Sequence, residues 1–483
     1  MISLSLDDLS SPLVLLFLAI PCIYFVVIAY QHRRYADEPP VLFSPIPFLG
    51  SALKFGASPL EFLLTSAKTL NNNTFVASIA GERMVFLTDP ADWNDVLRAP
   101  PASLRFDVIG LDVMISAFNL TKPKASITQL GVGGQETHKQ FVTYLQKKEH
   151  LDQLAQRAKS YLHDSLQTSS STASAATLPL FETLSPIIFK ATMCALFGAD
   201  HALTNDAAHD LFVAFDEKFP FLAGGAPLSL FPPAKKALYA MASTLEPKVM
   251  SPHASGLMRA RHDYYSTLAL TDAERSFSNL PMVWAAAANT IPAATWTLLY
   301  ILRSPEAVRA VERECSEFAG DGDVTRLDDM KVLHSCVMET LRVTSSSLVV
   351  RRVEDTGFRM KSGTQLRGGD RVALFPPIQH FSESVFSDAG SWKHDRFLGE
   401  GGKEREKKVM PFGGGISRCP GRFFALREVK AFVCAVFTVW KMELVDEKGS
   451  LPAQDESRVG LGINQVKPGC DVMVRVKERT KRN

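Results

Sequence analysis

The chain has 483 residues, of which 46% are hydrophobic, so it is long and apolar enough to bury a large core. Its formal net charge of +2 gives no indication of nucleic-acid binding. Its seven cysteines are scattered without CxxC pairs, which excludes the disulfide framework of a small secreted domain and predicts reduced thiols.

An apolar stretch near the N-terminus, residues 12–30, carries no charge and is just long enough to cross a bilayer. Two aspartates precede it, and Arg33 and Arg34 follow it. The positive-inside tendency therefore places the N-terminus in the lumen and the rest of the chain in the cytosol. A cleaved signal peptide is the alternative. The absence of a basic n-region and of a small-residue cleavage site favours an uncleaved membrane anchor over residues 1–34.

Residues 35–50 follow this anchor and are rich in proline. Closely spaced prolines predict a stiff, extended strap that holds a catalytic domain, residues 51–483, at a fixed tilt to the membrane. Two mostly apolar runs, residues 75–80 and 84–87, flank Gly81, and residues 74–87 therefore predict a β-hairpin that turns near this glycine.

Residues 280–302 predict a long helix that is apolar on all sides and is therefore buried. Pro292 cannot donate a hydrogen bond to the carbonyl of Ala288, so a kink is expected there. The freed carbonyl, Asn289 and Thr290 would form a small polar patch inside an apolar wall. Taken alone, this segment is better explained by a kink whose polar groups are satisfied locally.

Charged residues in two later segments form a possible cluster. Glu339 and Arg342 are an i, i+3 carboxylate–guanidinium pair inside an apolar-periodic helix, and Arg396 follows within a His-Asp-Arg-Phe segment. On a solvated helix face such a pair contributes little to stability, and this remains the simpler interpretation of the pair alone.

Residues 412–421 read Phe-Gly-Gly-Gly-Ile-Ser-Arg-Cys-Pro-Gly and precede a helical run. Glycines here let the backbone lie close to a flat ligand where side chains would clash. Cys419 then lies at a helix N-terminus, where free N–H groups and the helix dipole favour a thiolate. A thiolate on such a loop can ligate haem iron. An ordinary glycine loop with a buried cysteine is the alternative.

The helix pair, the later arginine and the cysteine loop occur in one order and at consistent spacing. Together, Glu339 and Arg342, then Arg396, then residues 412–421 resemble the cytochrome P450 family, in which the helix pair meets the later arginine beneath the cysteine loop. The resemblance implies the P450 fold, mainly α with small β-sheets, preceded by a single N-terminal transmembrane helix. It also implies a haem b cofactor whose axial iron ligand is the thiolate of Cys419.

The resemblance extends to residues that surround the haem. The implied haem-binding residues are Phe412, Gly415, Arg418, Gly421, Glu339, Arg342 and Arg396. Many family members also hold a haem propionate with a Trp-x-x-x-Arg pair on an early helix, and no tryptophan lies in that region here. Arg351 is therefore the candidate partner for a propionate.

In the family, the helix predicted for residues 280–302 crosses the distal haem face, where an acid–threonine pair supplies protons. Thr290 matches the threonine, but Asn289 replaces the acid. An amide can orient water but cannot supply a proton at neutral pH. An Asn-Thr pair in this helix is similar to the branch that holds cholesterol 7α-hydroxylase, sterol 12α-hydroxylase and prostacyclin synthase, so Thr290 and Asn289 are the implied catalytic residues.

This branch implies a monooxygenase that uses O2 and reductase-supplied electrons to hydroxylate or otherwise oxidise a lipophilic polycycle, such as a steroid, a sterol or a terpenoid. The alternative is an oxygen-independent isomerase of the prostacyclin-synthase type, whose helix has the asparagine without the following threonine. A third interpretation is a non-catalytic haem or lipid carrier, in which the same residues only retain the haem.

The resemblance also implies partners and a location. Electrons would come from NADPH through NADPH–cytochrome P450 reductase, with cytochrome b5 as a further candidate donor. Lys407, Lys408, Arg418 and Arg422 would present positive charge to the reductase near the cysteine loop. The implied location is the endoplasmic reticulum membrane, spanned once, with the catalytic domain in the cytosol.

Overall fold

The computed structural model describes residues 12–35, 37–171, 176–319 and 323–479. The first eleven residues of the predicted anchor lie outside this part of the chain. Helices dominate, and the strands form small sheets, as the resemblance implies.

The elements up to residue 197 are, in chain order, α1 (Pro12–Gln31), α2 (Ala52–Ala57), α3 (Pro59–Leu70), β1 (Thr74–Ile79), β2 (Glu82–Leu87), α4 (Trp93–Leu97), β3 (Leu104–Arg105), α5 (Asp107–Ser116), α6 (Lys122–Gln129), α7 (Gly131–Gln146), α8 (Lys148–Ser171), β4 (Ala176–Pro179) and α9 (Leu180–Phe197). The elements that follow are α10 (Asp206–Asp216), α11 (Phe219–Ala223), α12 (Pro232–Ser243), α13 (Gly256–Ser266), α14 (Asp272–Ala287), α15 (Thr290–Leu302), α16 (Pro305–Ala319), α17 (Lys331–Thr344), β5 (Val349–Val353), β6 (Phe358–Arg359), β7 (Gln365–Leu366), β8 (Arg371–Leu374), α18 (Pro377–His380), α19 (Gly402–Glu406), α20 (Arg422–Val439), β9 (Trp440–Leu444) and β10 (Met473–Glu478).

The chain divides into two compact units, of which the first comprises Met1–Phe106 and Val349–Ile378. Its five-stranded sheet has the order β1-β2-β8-β5-β3. The predicted hairpin is confirmed, since β1 and β2 pair antiparallel from Thr74 with Leu87 to Ile79 with Glu82. Gly81 takes a positive φ of 85° in the turn, a conformation that glycine adopts without steric cost.

Glu38, in the proline-rich segment that follows α1, is bound to two arginines of this first unit. The carboxylate of Glu38, only 6% exposed, accepts hydrogen bonds from Arg83 at 2.9 Å and from Arg367 at 2.9 and 2.8 Å. Charge-assisted hydrogen bonds from two guanidinium groups to one buried carboxylate hold this part of the backbone in place.

Helix α1 is apolar and uncapped by charge at either end. Its side chains are described from residue 19 onwards, where Ile20, Ile23, Phe25 and Val26 are all exposed. Two other apolar stretches, Leu180–Phe197 and Asp272–Leu302, are long enough to span a bilayer, but they are 67% and 72% buried, as core helices are.

The second unit comprises Asp107–Leu348 and Gln379–Asn483 and is mostly helical, with a three-stranded sheet of order β4-β10-β9. One apolar cluster contains Trp296 of α15, Leu333 of α17 and Phe432 of α20. A second cluster contains Phe215 of α10 and Leu280 of α14. Helices α15, α17 and α20 pack against one another, so the helices that carry Thr290, Glu339 and Arg342 share one core with the helix that follows Cys419.

Candidate haem-binding site

The cysteine loop, residues 412–421, is a closed turn at the start of α20. The N–H of Cys419 donates to the carbonyl of Phe412 at 2.9 Å. Gly413 and Gly415 have φ of 68° and 66°, so the backbone path itself requires residues without a Cβ. Gly421 has an ordinary negative φ, and a Cβ added there would meet the sulfur of Cys419 at 3.9 Å.

The thiol of Cys419 faces opposing influences. Burial raises the pKa of this thiol, and hydrogen bonds from the backbone N–H groups of Gly421 and Arg422 act against that effect. The guanidinium groups of Arg422 and Arg418 also favour the thiolate. Free N–H groups at the start of α20 therefore point at the sulfur, as the sequence predicts for a helix N-terminus.

Cys419 is exposed even though the surrounding protein is dense enough to raise the pKa of its thiol. The sulfur is therefore accessible, although protein atoms surround it closely. Ile416, 57% exposed, and the partly buried Phe412 belong to the same loop. A sulfur donor and apolar side chains beside open space fit a planar, largely apolar group bound through sulfur.

Glu339 and Arg342 of α17 form a completely buried ion pair, not a solvated one. The Nε of Arg342 lies 2.8 Å from Oε2 of Glu339, and both side chains have 0% exposure. Arg342 also donates to the carbonyls of His380 at 2.6 Å and Ala389 at 2.7 Å. Every guanidinium nitrogen thus has a partner, which a charge in the core requires.

Arg396 joins this pair from the later segment, as predicted. Its Nε donates to Oε1 of Glu339 at 2.6 Å, and its other nitrogens donate to the carbonyls of Ser387, Asp388 and Ser391. One carboxylate therefore bridges two arginines, and the two arginines fix the backbone between α18 and the cysteine loop.

His380 is a functional residue that the sequence analysis missed. Its Nε2 accepts the N–H of Met410 at 2.9 Å, and its carbonyl accepts from Arg342, so it joins the buried ion pair to the segment that enters the cysteine loop. Complete burial lowers the pKa of His380 to about 3 and keeps the ring neutral. The sequence around His380 does not predict this role, because its partners, Arg342 and Met410, lie in distant segments of the chain.

The predicted kink is confirmed, because the apolar helix is interrupted between Ala287, where α14 ends, and Thr290, where α15 begins. Pro292 lies in the first turn of α15, so the carbonyl of Ala288 has no N–H partner at that position. Ala285 is exposed within a stretch where Val283 and Ala287 are buried. The alanine face of α14 therefore borders open space.

Thr290 differs from the other threonines of α15. Thr295 and Thr297 donate to the carbonyls of Ile291 and Ala293, four residues back. Within the described residues, the hydroxyl of Thr290 has no hydrogen-bond partner. This hydroxyl is therefore free to bond a ligand or a water molecule.

Asn289 is engaged with the C-terminal part of the chain. Its Oδ1 accepts the N–H of Ile463 at 2.8 Å, and its carboxamide packs against Gly462. It makes no side-chain bond that caps α15. Asn289 and Thr290, the two residues of the predicted polar patch, are thus adjacent in the chain but have different surroundings.

A buried carboxylate at the end of α10, Asp216, is a second feature that the sequence analysis missed. It accepts from the indole N–H of Trp284 at 2.7 Å, from Arg458 at 2.9 Å and from Gln465 at 2.8 Å. Arg458 and Asp216 each have side chains only 5% exposed. These bonds join α10, α14 and the segment that contains Ile463. The bonded residues are far apart in the chain, so no periodic pattern in the sequence predicts these contacts.

Arg351 lies on β5 of the first unit. It is 3% exposed, its NH1 donates to the carbonyl of Val350 at 2.8 Å, and its guanidinium lies 5.2 Å from the ring of Phe106. Burial lowers the pKa of Arg351 to about 10, which still leaves the group charged at neutral pH.

Comparison with known proteins bears directly on this arrangement. The family model described as cytochrome P450 matches residues 234–469. Cytochrome P450 7A1 of Rattus norvegicus is 31% identical over 92% of this chain and 94% of its own length. This chain belongs to the cytochrome P450 family. The family likeness covers the cysteine loop, the buried ion pair and the helix interruption, and it identifies the protein as a P450 monooxygenase.

Further relatives agree with the branch that the sequence indicated. Cholesterol 7-alpha-monooxygenase of Cricetulus griseus is 30% identical over 92% of this P450 and 94% of its own length. The human 7-alpha-hydroxycholest-4-en-3-one 12-alpha-hydroxylase is 29% identical over 94% of this chain and 96% of its own. Membership of the family implies a haem–thiolate cofactor, a redox partner that supplies electrons, and a lipophilic substrate.

Proposed function

We propose that this P450 hydroxylates a sterol or a similar polycyclic lipid, with haem b bound through the thiolate of Cys419. The accessible sulfur of Cys419, surrounded by dense protein and met by the N–H groups of α20, is the observation that carries the haem assignment. Phe412, Gly415, Arg418 and Gly421 would contact the cofactor from the same loop. Bound in this way, haem supplies oxygen activation, because donation of electron density by the thiolate favours O–O cleavage.

The buried ion pair would act by holding the cysteine loop in place. Glu339, Arg342 and Arg396 position the backbone that precedes the loop, and the Nε2 of His380 accepts the N–H of Met410 at its entrance. We assign these residues a positioning role, since their side chains are all directed to protein partners.

At the helix interruption, we propose that the hydroxyl of Thr290 holds a water molecule or a reacting oxygen and passes it a proton by hydrogen-bond exchange. The free hydroxyl supports this role. An amide at position 289 cannot be the source of the proton, so the proton must reach Thr290 through solvent. The presence of Thr290 favours a monooxygenase over an isomerase of the prostacyclin-synthase type.

The substrate class rests on the relatives. Proteins that carry the names cholesterol 7-alpha-monooxygenase and 12-alpha-hydroxylase match this chain along more than nine tenths of its length. The second unit contributes apolar and small residues to the proposed pocket, from residues 212–230, 286–292 and 460–464. A wall of this composition suits a rigid lipophilic ring system better than a charged metabolite.

We further propose that residues 1–34 anchor the protein in the endoplasmic reticulum membrane in a single pass, that residues 35–50 form a strap, and that residues 51–483 form the cytosolic catalytic domain. The exposed apolar side chains of α1 and the positive residues that follow it support the anchor. Arg351 remains the proposed partner of a haem propionate.

Electrons would come from NADPH through NADPH–cytochrome P450 reductase, with cytochrome b5 as a further donor. Lys408 precedes the cysteine loop and Arg418 lies within it, and both are exposed. Lys407 pairs with the exposed Glu404 at 2.6 Å. Such solvated cations can exchange their weak intramolecular partners for an acidic surface on a redox protein.

A titration of the purified holoenzyme that follows the Soret band tests the proposed function. We expect a high-spin shift with a steroid or sterol, because a substrate that fits the pocket displaces water from the haem iron. Terpenoids and a stable endoperoxide analogue are the comparison ligands. A response to the endoperoxide analogue alone would assign the protein to the oxygen-independent isomerases instead.

A further inference from the structure

The carboxamide of Asn289 has a defined orientation, because the group that it meets can only donate. The backbone N–H of Ile463 lies 2.8 Å from one atom of the carboxamide, which must therefore be the oxygen. Asn289 lies between the end of α14 and the start of α15, and 174 residues separate it from Ile463 in the chain. This is a long-range contact, not a local helix cap.

The backbone of Gly462 lies directly against that carboxamide. Its φ is +121°, a conformation that residues with a Cβ rarely adopt. A Cβ built there would lie 2.1 Å from Oδ1 of Asn289, far inside van der Waals contact. The backbone at position 462 thus approaches Asn289 as closely as only glycine permits, and the two residues depend on each other.

The segment that receives Asn289 is also bound to the chain after α17. The N–H of Ser346 donates to the carbonyl of Gly462 at 2.7 Å, and the N–H of Gly460 donates to the carbonyl of Ser346 at 2.8 Å. The N–H of Asn464 donates to the carbonyl of Thr344 at 2.9 Å. Residues 460–464, which we call the C-terminal turn, therefore form a small ladder with the end of α17.

We propose that Asn289 is a positioning residue that fixes the C-terminal turn against the helix interruption, and that it thereby determines which substrate carbon is presented for oxidation. Asn289 precedes the free hydroxyl of Thr290, and the turn that it holds is continuous with the ladder after α17. A shift of the turn would move one pocket wall relative to Thr290. The replacement of the family's acid by an amide thus serves the architecture of the pocket, while proton supply runs through Thr290 and solvent.

The test compares two variants of the full-length holoenzyme. Asn289→Asp keeps an oxygen acceptor of the same size for the N–H of Ile463, whereas Asn289→Ala removes it. We expect hydrogen exchange in the peptide that covers residues 460–464 to accelerate about tenfold in N289A and to stay within about twofold of wild type in N289D. Loss of one part-buried hydrogen bond is worth about this factor.

A matched control is Asn279→Ala, which removes the carboxamide of a buried asparagine within α14 that accepts from Arg261 at 3.2 Å. Exchange in the turn should be unchanged in N279A. Gly462→Ala places a Cβ against the carboxamide of Asn289 and disrupts the same contact, so it should accelerate exchange as N289A does. Wild-type exchange rates in N289A would overturn the inference.

The second readout rests on the proposed function and uses the product distribution. Under the positioning role, N289A changes the ratio of hydroxylation positions and N289D preserves it. If residue 289 served proton supply instead, N289D would raise the coupling of O2 use to product and N289A would lower it, with the product ratio constant in both. The exchange experiment needs no substrate, so failure of the substrate assignment would leave its result intact.

Discussion

The Nε of Arg396 lies 2.6 Å from Oε1 of Glu339, although 57 residues separate them in the chain. Glu339 bonds Arg342 as well, so one fully buried carboxylate neutralises part of the charge of two buried guanidinium groups. The cluster is stable because carbonyl oxygens satisfy the remaining nitrogens. It connects α17 to the segment that leads to Cys419.

We therefore expect Glu339→Gln to destabilise the protein by about 3–5 kcal/mol, because it leaves two buried arginines without a counter-charge. Urea unfolding and haem content after purification measure the effect. Glu404→Gln is the matched control, since the Glu404–Lys407 pair is 74% and 69% exposed and its loss should cost less than about 1 kcal/mol. Equal unfolding midpoints for the two variants would contradict the assigned role.

Thr290→Ala should uncouple O2 consumption from product formation by roughly tenfold or more, because no hydroxyl then holds the proton-delivering water. Thr290→Ser keeps the hydroxyl and should remain coupled. Thr297→Ala, on the same helix, removes a hydroxyl that donates to the carbonyl of Ala293 and should leave coupling unchanged. The measurement is the ratio of product to O2 consumed; a wild-type ratio in T290A would show that protons take another route.

Glu428 makes the stability of the second unit depend on pH. Complete burial raises the pKa of Glu428 to about 8. The hydroxyl of Thr192 lies 2.9 Å from the carbonyl of Ile188 and 2.7 Å from Oε1 of Glu428, and its single hydrogen cannot serve both. A protonated Glu428 supplies the second hydrogen, so geometry and pKa agree that this carboxyl is neutral at pH 7.

Because the folded pKa of Glu428 lies above its ordinary value of 4.5, the folded state binds this proton more tightly than the unfolded state. The stabilisation is therefore complete below pH 4.5 and declines by about 1.4 kcal/mol per pH unit as the pH rises toward 8. Glu428→Gln should abolish this component. The measurement is the difference in unfolding free energy between wild type and E428Q at pH 5 and pH 8; an equal difference at both values would refute the prediction.

Reversal of charge at the proposed reductase surface should weaken electron delivery. We expect Lys407→Glu with Lys408→Glu to raise the reductase concentration for half-maximal turnover about tenfold at low salt, and less at high salt, because exposed charges are screened. Substrate-induced Soret shifts should be unchanged. The exposed Lys235 and Lys236 on α12 provide the control double reversal. If both double variants required the same reductase concentration for half-maximal turnover, the reductase would dock on another surface.

Parts of this fold followed from the sequence because their causes are local. The hairpin of β1 and β2 was predictable from two apolar runs that flank Gly81, and the interruption of the apolar helix was predictable from Pro292. The Glu339–Arg342 pair was visible as a spacing, but its complete burial was not, because i, i+3 charges are equally compatible with a solvated face.

Other parts depend on residues that the folded chain alone brings together. His380 meets Met410, and Asp216 meets Arg458 and Gln465, through tertiary packing that leaves no periodic pattern. The sequence shows that Asn289 departs from the family pattern. Its bond to Ile463 was not predictable, because the two residues are 174 positions apart and no local pattern links them. Local rules thus predicted the elements, while the supports of the site required the structure.

The most direct test of the central claim is the absorption spectrum of the reduced carbon-monoxide complex, recorded for wild type, Cys419→His and, as a control, Cys434→Ala. Cys434 is buried in α20, where its sulfur lies 3.5 Å from that of Cys315. Wild type and C434A should show the red-shifted Soret band of a haem–thiolate, and C419H should lose it while keeping bound haem. A thiolate-type band that persists in C419H would show that another residue ligates the iron.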